Sequence, residues 1–176
     1  MSLARYLSKL GAMLGSDGKV PTSALGAGAV LRIVQARKTD KWSNSTTSFA
    51  SVDGLSVTLT PASVNSKFLV EASVYVGANW WASNGGYFGI NANGTGIAGS
   101  GVGVWSLQYG ADAGNSPFET QQWSESVIHS PASISPITFT VVLASGVSGQ
   151  AIYVNRSNND YTKEGKSVLT ITEIAG

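Results

Sequence analysis

The sequence predicts an all-β protein, an antiparallel β-sandwich of about ten strands that follows a short N-terminal helix and a linker. The first observation is the run of residues 49–78, in which apolar and polar side chains alternate with a period of two, as they do in half-buried strands. The second is the composition, because 21 glycines supply turns and charged residues make up only 12% of the chain, about half the usual share. The third is the regular succession of short apolar segments and turn residues along the chain.

The central run contains two strand segments with distinct faces. In the first segment, one face carries Leu55, Val57 and Leu59, and the other carries Ser56, Thr58 and Thr60. In the second segment, one face carries Phe68, Val70, Ala72, Val74 and Val76. Pro61 lacks a backbone donor and ends the first strand, while Asn65 and Ser66 suit a turn. The two segments are therefore predicted to pair as a hairpin, whose apolar face needs a second sheet to cover it.

Strands are predicted along the whole β-sandwich domain, which we expect to occupy residues 30–176. They lie near residues 30–40, 46–52, 55–60, 67–77, 86–92, 102–109, 118–129, 136–144, 150–156 and 167–174. Neither a repeat of solenoid length nor an alternation of strands and helices is present, so a parallel-sheet enzyme fold is not expected.

Residues 1–29 are expected to form a separate unit, a helix and a linker. The helix, over residues 2–14, has leucines at steps of four, three and four, the spacing of a coiled-coil seam: Leu3, Leu7, Leu10 and Leu14. So short a helix is marginal alone in water, so it needs a partner, which could be other copies, its own sandwich or another protein. Residues 15–29 are dominated by Gly, Ser and Pro and have no periodicity, which predicts a linker.

Charge is distributed unevenly along the chain. Residues 1–41 contain seven basic and two acidic residues, whereas residues 42–176 contain four basic and eight acidic ones, and the net charge is +1. The basic N-terminal arm could dock on an acidic surface or could be a solvated helix face. No apolar run approaches the roughly 20 residues of a membrane span, and we expect neither membrane insertion nor nucleic acid among the partners.

Cofactor and metal chemistry is not expected. Gly94, Gly96 and Gly99 match the glycine spacing of a dinucleotide site, but that site requires a helix after the glycines. The sequence continues with further glycines, which predicts a glycine-rich hairpin loop instead. The chain has no cysteine and a single histidine, His129, which is expected to be structural or solvated rather than a zinc ligand.

A carbohydrate-active enzyme is the remote alternative. Glu119 and Glu125 flank Trp123 on one predicted strand face. Residues six apart on a strand are about 20 Å apart, which is too far for a glycosidase pair. Catalysis would need another acid, such as Glu71 or Asp112, so we expect that the protein is not an enzyme.

Aromatic residues concentrate between positions 80 and 109, beside Asn and Gly residues. The candidate ligand-binding residues are Trp80, Trp81, Tyr87, Trp105 and Tyr109. Exposed flat rings in such loops can stack on sugars, but aromatic rings also fill cores and subunit interfaces. Both interpretations remain open for these residues and for the neighbouring Phe88.

Several segments resemble a family of small virion proteins of tailed phages, usually tail-fibre or structural proteins, that are common in cyanophages. The segments are VLRIVQARKTDKWS, TTSFASVDGLSVTLTPASVNSKFLV, AIYVNRSNNDYT and VLTITEIAG, and the opening SLARYLSKLGAMLGSDGKVPTSAL resembles the N-terminal anchor of such proteins. The matching residues are Thr39, Asp40, Phe49, Gly54 to Pro61, Ser66, Lys67, Tyr153 to Ser157 and Glu173. The resemblance is lost over residues 79–128, where a partner-specific surface is expected.

The resemblance implies a jelly-roll-like sandwich, usually a homotrimer, located in the virion and without catalytic residues. The chain would be a tail-fibre or receptor-binding module that attaches the phage to a host surface glycan. The alternative is a capsid decoration protein that stabilises the phage head. In either role, residues 1–29 would anchor the domain to other virion proteins through the four leucines.

Overall fold

The computed structural model describes residues 25–78, 86–98, 120–157 and 165–176, together with residues 8, 11, 14, 20 and 21. The described ranges contain ten strands, all in antiparallel pairs. They are β1 (Val30–Lys38), β2 (Trp42–Asn44), β3 (Ala50–Leu59), β4 (Lys67–Ala78), β5 (Gly86–Ala92), β6 (Thr95–Ala98), β7 (Thr120–His129), β8 (Ile137–Ser145), β9 (Ile152–Val154) and β10 (Ser167–Ile174).

The strands form two sheets with jelly-roll topology. The six-stranded sheet has the order β1-β10-β4-β9-β2 along one path, and β7 also pairs with β4. The four-stranded sheet has the order β3-β8-β5-β6. Both β9 and β10 pair with β4, β9 at residues 76–78 and β10 at residues 67–73. Without the three-residue strands β2 and β9, the two sheets have the orders β1-β10-β4-β7 and β3-β8-β5-β6. These are the two four-stranded sheets of a jelly roll. The predicted jelly-roll-like sandwich of ten strands is confirmed.

The prediction of a hairpin in the central run is wrong, although the faces of its two strands are predicted correctly. β3 pairs with β8 in one sheet, whereas β4 pairs with β7, β9 and β10 in the other. The connection over residues 60–66 therefore crosses the sandwich. Alternation reports which face of a strand is buried, and strands that face each other across a core share this pattern with strands that pair side by side.

Three strand assignments also differ from the prediction. The two strands expected near residues 46–52 and 55–60 are the single strand β3, whose register shifts between Ser51 and Ser56. Gly54 lies in this bulge with a φ of 79°, a conformation that glycine adopts at bulges without strain. The short strands β2 and β6 are not predicted, and the strand expected near residues 102–109 lies outside the described residues.

The core lies between the two sheets and contains the apolar faces predicted for β3 and β4. Phe68 and Phe139 pack across the sandwich with ring centroids 5.5 Å apart, and Phe88 stacks on Trp123 at 5.4 Å. Each of these four side chains is at most 5% exposed. Burying an aromatic or large aliphatic side chain stabilises a fold by about 1.5–3 kcal/mol, so this layer is the main source of stability.

A buried asparagine joins the two halves of the six-stranded sheet. Asn155 follows β9, is fully buried and has a φ of 62°. Its amide nitrogen donates to the carbonyl oxygens of Lys38 and Asp40 at 3.0 and 2.9 Å, and its Oδ1 accepts from the Ser167 hydroxyl at 2.7 Å. Residues 155–166 separate β9 from β10 at this point, so the asparagine holds together the strands on both sides of the interruption.

A buried carboxylate fixes the connection between β3 and β4. Glu173 is fully buried; it accepts hydrogen bonds from Arg32 Nε and from the backbone nitrogen of Ala62, both at 2.6 Å. Arg32 also donates to the carbonyl oxygen of Thr60. This charge-assisted network draws the crossing connection onto the end of β10.

Candidate functional site

The outward side chains of the six-stranded sheet form rows, because its four long strands pair in register. We call this surface the outer face. The first row is Ile33, Thr172, Leu69 and Ile128, from β1, β10, β4 and β7. The second row is Gln35, Thr170, Glu71 and Ser126. The third row is Arg37, Val168, Ser73 and Ser124.

The second and third rows form a shallow, open depression of about 640 Å³ on β7, β4 and β10. We call it the polar depression. Its outward lining side chains are Glu71, Ser73, Ser124, Ser126, Val168 and Thr170. Four hydroxyl groups therefore surround the Glu71 carboxylate on a regular sheet, where the backbone holds each side chain at a fixed position, and the half-buried Glu125 also lines the depression.

Glu71 is the central residue of the polar depression. It is exposed and forms no hydrogen bond or ion pair with any described residue. Its neighbours in the row, Thr170 and Ser126, lie directly opposite it on the two flanking strands, at typical Cβ separations of about 4.5–5.5 Å. The carboxylate is therefore available to a ligand.

A second feature is a group of exposed aliphatic side chains at one end of the sandwich, which we call the apolar end. Its members are Val30, Ile33, Val64, Ile128 and Ile134. The start of β1, the start of β4, the end of β7 and the connections at residues 60–66 and 130–136 all meet at this end. Ile33 is 65% exposed and Ile128 is 54% exposed, although a solvated sheet face normally carries polar residues.

Most of the aromatic residues predicted to bind ligand lie outside the described residues, namely Trp80, Trp81, Trp105 and Tyr109. Tyr87 lies on β5, on the outward side of the four-stranded sheet, and is 37% exposed. Phe88 belongs to the core. Tyr87 and Phe88 are consecutive residues of one strand, so their side chains lie on opposite faces of the sheet. Tyr87 is the one member of the predicted ligand-binding set among the described residues.

The predicted anchoring leucines Leu3, Leu7 and Leu10 also lie outside the described residues. Leu14 is described and is 42% exposed. The structure reaches the domain at Gly28, whose backbone nitrogen donates to the carbonyl oxygen of Ala175 at 2.7 Å. This contact places the entry of the N-terminal segment beside the C-terminus, at the apolar end.

Of the acids considered for catalysis, Glu71 and Glu125 lie on the neighbouring strands β4 and β7 and line the same depression, whereas Asp112 lies outside the described residues. Trp123 is a buried core residue of β7, Glu125 is half-buried on the same strand, and Glu119 lies outside the described residues. His129, at the end of β7, places its ring edge-on against Phe139 at 5.8 Å, and burial lowers its pKa. Within the described ranges, no three His, Asp or Glu side chains group as metal ligands would.

The glycines considered for a dinucleotide site form a hairpin over the part that is described. Asn93 and Gly94 have φ values of 49° and 82° and connect β5 to β6, as in a type I′ turn. Gly96 lies in β6, and Gly99 lies outside the described residues. Over the part of the chain that the structure describes, no helix has the length and apolar character of a membrane span.

The residues that carry the phage resemblance support the framework rather than a site. Glu173 holds the crossing connection, Asn155 joins the interrupted sheet, and Gly54 forms the bulge of β3. Asp40 is bound by the ammonium of the buried Lys38 at 2.8 Å, and this hydrogen bond lowers the pKa of Asp40.

Sequence reasoning did not identify the two surfaces of the outer face. From the sequence, Glu71 enters only as a further acid for a glycosidase, and Ile33 and Ile128 are not singled out. A signal was available: Leu69 and Ile128 occupy positions that strand parity assigns to the solvated face. Their apolar character is unusual for such a face, but the row becomes recognisable only when the register of four strands is known.

Comparison with known proteins leaves the family open. No family model matches the sequence, and no curated protein matches it. Latent dimeric PorU from Porphyromonas gingivalis aligns over 85% of this chain with a TM-score of 0.43 and 13% identity, and the chain spans 14% of the PorU chain. A Bacillus endospore appendage protein, from a family of disulfide-linked pili, aligns over 86% of this chain and 96% of its own, with a TM-score of 0.30 and 13% identity. Similarities this weak carry no argument about function.

Proposed function

We propose that this chain is a surface structural protein of a bacteriophage virion, a trimeric module of the tail-fibre or receptor-binding type. The role is non-enzymatic, and the chemistry is recognition and assembly. The resemblance of four segments to tailed-phage virion proteins supports this function, as does a jelly roll whose surface is built from Ser, Thr and Asn rather than charged residues. A fold alone does not determine a function, so the proposal rests mainly on a surface.

The apolar end is the observation that carries the proposal. Soluble monomers rarely leave large contiguous apolar surfaces uncovered, yet this end combines five exposed aliphatic side chains from four different chain segments. We assign the contact between subunits to this end, with further copies of the chain as the occupants. The assembly is then held together end-on, close to where the N-terminal segment enters the domain.

Purified protein is expected to be a homotrimer with three times the chain mass of 18.2 kDa. The double change Ile33→Glu with Ile128→Glu is expected to give monomers at micromolar concentration, because each charge replaces apolar area whose burial is worth roughly 1.5–3 kcal/mol. Light scattering coupled to size-exclusion chromatography measures the mass. Both positions are exposed, so the variant should fold.

Val147→Glu is the matched control for this assembly. Val147 is also an exposed aliphatic residue, 37% exposed, but it follows β8 at the opposite end of the sandwich. This variant is expected to remain trimeric. A monomeric parent protein, or a double variant that stays trimeric, would contradict the assignment of the contact.

Capsid decoration is the second candidate function, and the charge of the N-terminal region favours it. Seven basic residues against two acidic ones within residues 1–41 suit attachment to an acidic shell. A decoration protein would be present in numbers similar to the major capsid protein, whereas a tail protein would be far rarer. The copy number in the particle therefore separates the two roles.

A further inference from the structure

We propose that the polar depression on the outer face binds an uncharged saccharide, with Glu71 as the central ligand-binding residue. This inference deepens the proposed receptor-binding function and rests on it, but it moves the site. The aromatic residues predicted to bind ligand between positions 80 and 109 are not required. The site is instead built on three adjacent strands, β7, β4 and β10.

The carboxylate of Glu71 has the geometry that a sugar diol requires. Its two oxygens can accept hydrogen bonds from two neighbouring hydroxyl groups of one sugar ring, and bonds to a charged acceptor are about twice as strong as neutral ones. No described residue uses these oxygens. Water therefore donates the hydrogen bonds to this carboxylate, and a bound ligand would replace that water.

The surrounding hydroxyls extend this recognition in both directions across the sheet. Ser126 and Thr170 lie opposite Glu71 on the flanking strands, and Ser73 is the next outward residue of β4, about 7 Å along the strand. Hydroxyl groups both donate and accept, so they suit sugar hydroxyls, which also do both. The methyl groups of Val168 line the same depression and can contact the apolar C–H face of a sugar ring.

The charge and composition of the polar depression disfavour other ligand classes. A carboxylate at the centre repels phosphate, nucleic acid and acidic sugars. Among the described residues no third acidic side chain joins Glu71 and Glu125, and two carboxylates supply too few oxygens for calcium, which takes six to eight. Four hydroxyl side chains make the surface too polar for a lipid. An uncharged saccharide is the ligand class that uses both the carboxylate and the hydroxyls.

Assembly through the apolar end leaves this site open. Leu69 belongs to the apolar row, and Glu71 is the next outward residue on the same strand, about 7 Å further from the end. In a trimer joined end-on, the polar depression faces outward on the side of each subunit. Three equivalent sites on one trimer would increase the apparent affinity for a host surface through multivalency.

The test uses the full-length protein on an array of neutral oligosaccharides, followed by calorimetry with any that bind. Glu71→Gln keeps the shape of the exposed side chain but removes its charge, and we expect affinity to fall at least tenfold. Ser126→Ala combined with Thr170→Val is expected to weaken binding further. Thr58→Val with Thr138→Val is the matched control, because it removes a hydroxyl pair, 2.8 Å apart, from the outward side of the four-stranded sheet and should leave binding unchanged.

Two results would overturn the inference: no neutral oligosaccharide binds, or binding survives Glu71→Gln at parental affinity. Binding that is lost instead with changes at Trp80, Trp81 and Trp105 would place the site at the aromatic residues predicted from the sequence. The proposed virion function fails on a different observation, namely that the chain is absent from phage particles, and this result does not depend on which ligand the chain binds. Saccharide binding that depends on Glu71 in a protein absent from virions would support the site and contradict the virion role.

Discussion

Val57→Asp is expected to leave the protein largely unfolded at room temperature. Val57 is 5% exposed, lies in β3 opposite Phe139 and points into the core between the sheets. The side chains of the core cluster that contains Val57 are all hydrophobic. Burying an unpaired charge costs several kcal/mol, against a total stability of roughly 5–15 kcal/mol for a domain. Far-ultraviolet circular dichroism and urea denaturation measure the loss.

Thr58→Asp is the matched control at the next position of the same strand. Thr58 is exposed, and its hydroxyl pairs with that of Thr138 on the outward side of the sheet. A charge here stays in water, so we expect a cost of about 1 kcal/mol or less. If the two variants unfold at the same urea concentration, the register of β3 described above is wrong.

Asn155→Ala is expected to lower the stability by about 3 kcal/mol or more, the second largest effect. The change leaves the carbonyl oxygens of Lys38 and Asp40 and the hydroxyl of Ser167 without their partner. A buried polar group that loses its partner costs about 1–3 kcal/mol, and a residue other than Gly, Asn or Asp at a φ of 62° adds strain. The expected fall in melting temperature is roughly 10 °C for a domain of this size.

Two further variants separate the contributions to this effect. Asn155→Gly removes the side chain but tolerates the backbone conformation, so it should be less destabilising than Asn155→Ala. Asn91→Ala is the control for loss of an asparagine side chain, because the Oδ1 of Asn91 is buried without a hydrogen-bond partner. Asn91→Ala is expected to cost much less. Equal melting temperatures for Asn155→Ala and Asn91→Ala would contradict the joining role of Asn155.

The buried faces could be predicted from the sequence, and the pairing of the strands could not. Alternation at Leu55, Val57 and Leu59 identifies the inward side of β3 because strand geometry alone sets that parity. The choice of β8 as partner depends on contacts between residues far apart in sequence. Glu173 illustrates this, because its carboxylate binds Ala62, 111 residues earlier, and so helps direct β4 into the other sheet.

The two candidate surfaces were hidden for the same reason. Ile33 and Ile128 are 95 positions apart in the sequence and share a row only through the register of β1, β10, β4 and β7. Glu71 is one of ten acidic residues, and its position among hydroxyls becomes visible only when three strands are aligned. The predicted aromatic set, in contrast, follows from local composition, and the described residues include only Tyr87 from it.

The most direct test of the proposed virion role is quantitative mass spectrometry of purified phage particles from the source of this sequence. The measurement is made for the parent phage and for one complemented with a chain that lacks residues 1–29. The account predicts that the full chain is present in a multiple of three copies per particle, far below the copy number of the major capsid protein, and that the truncated chain is missing from particles. A copy number similar to that of the capsid protein would instead support decoration. Particles that are infectious and contain none of the full chain would contradict the account.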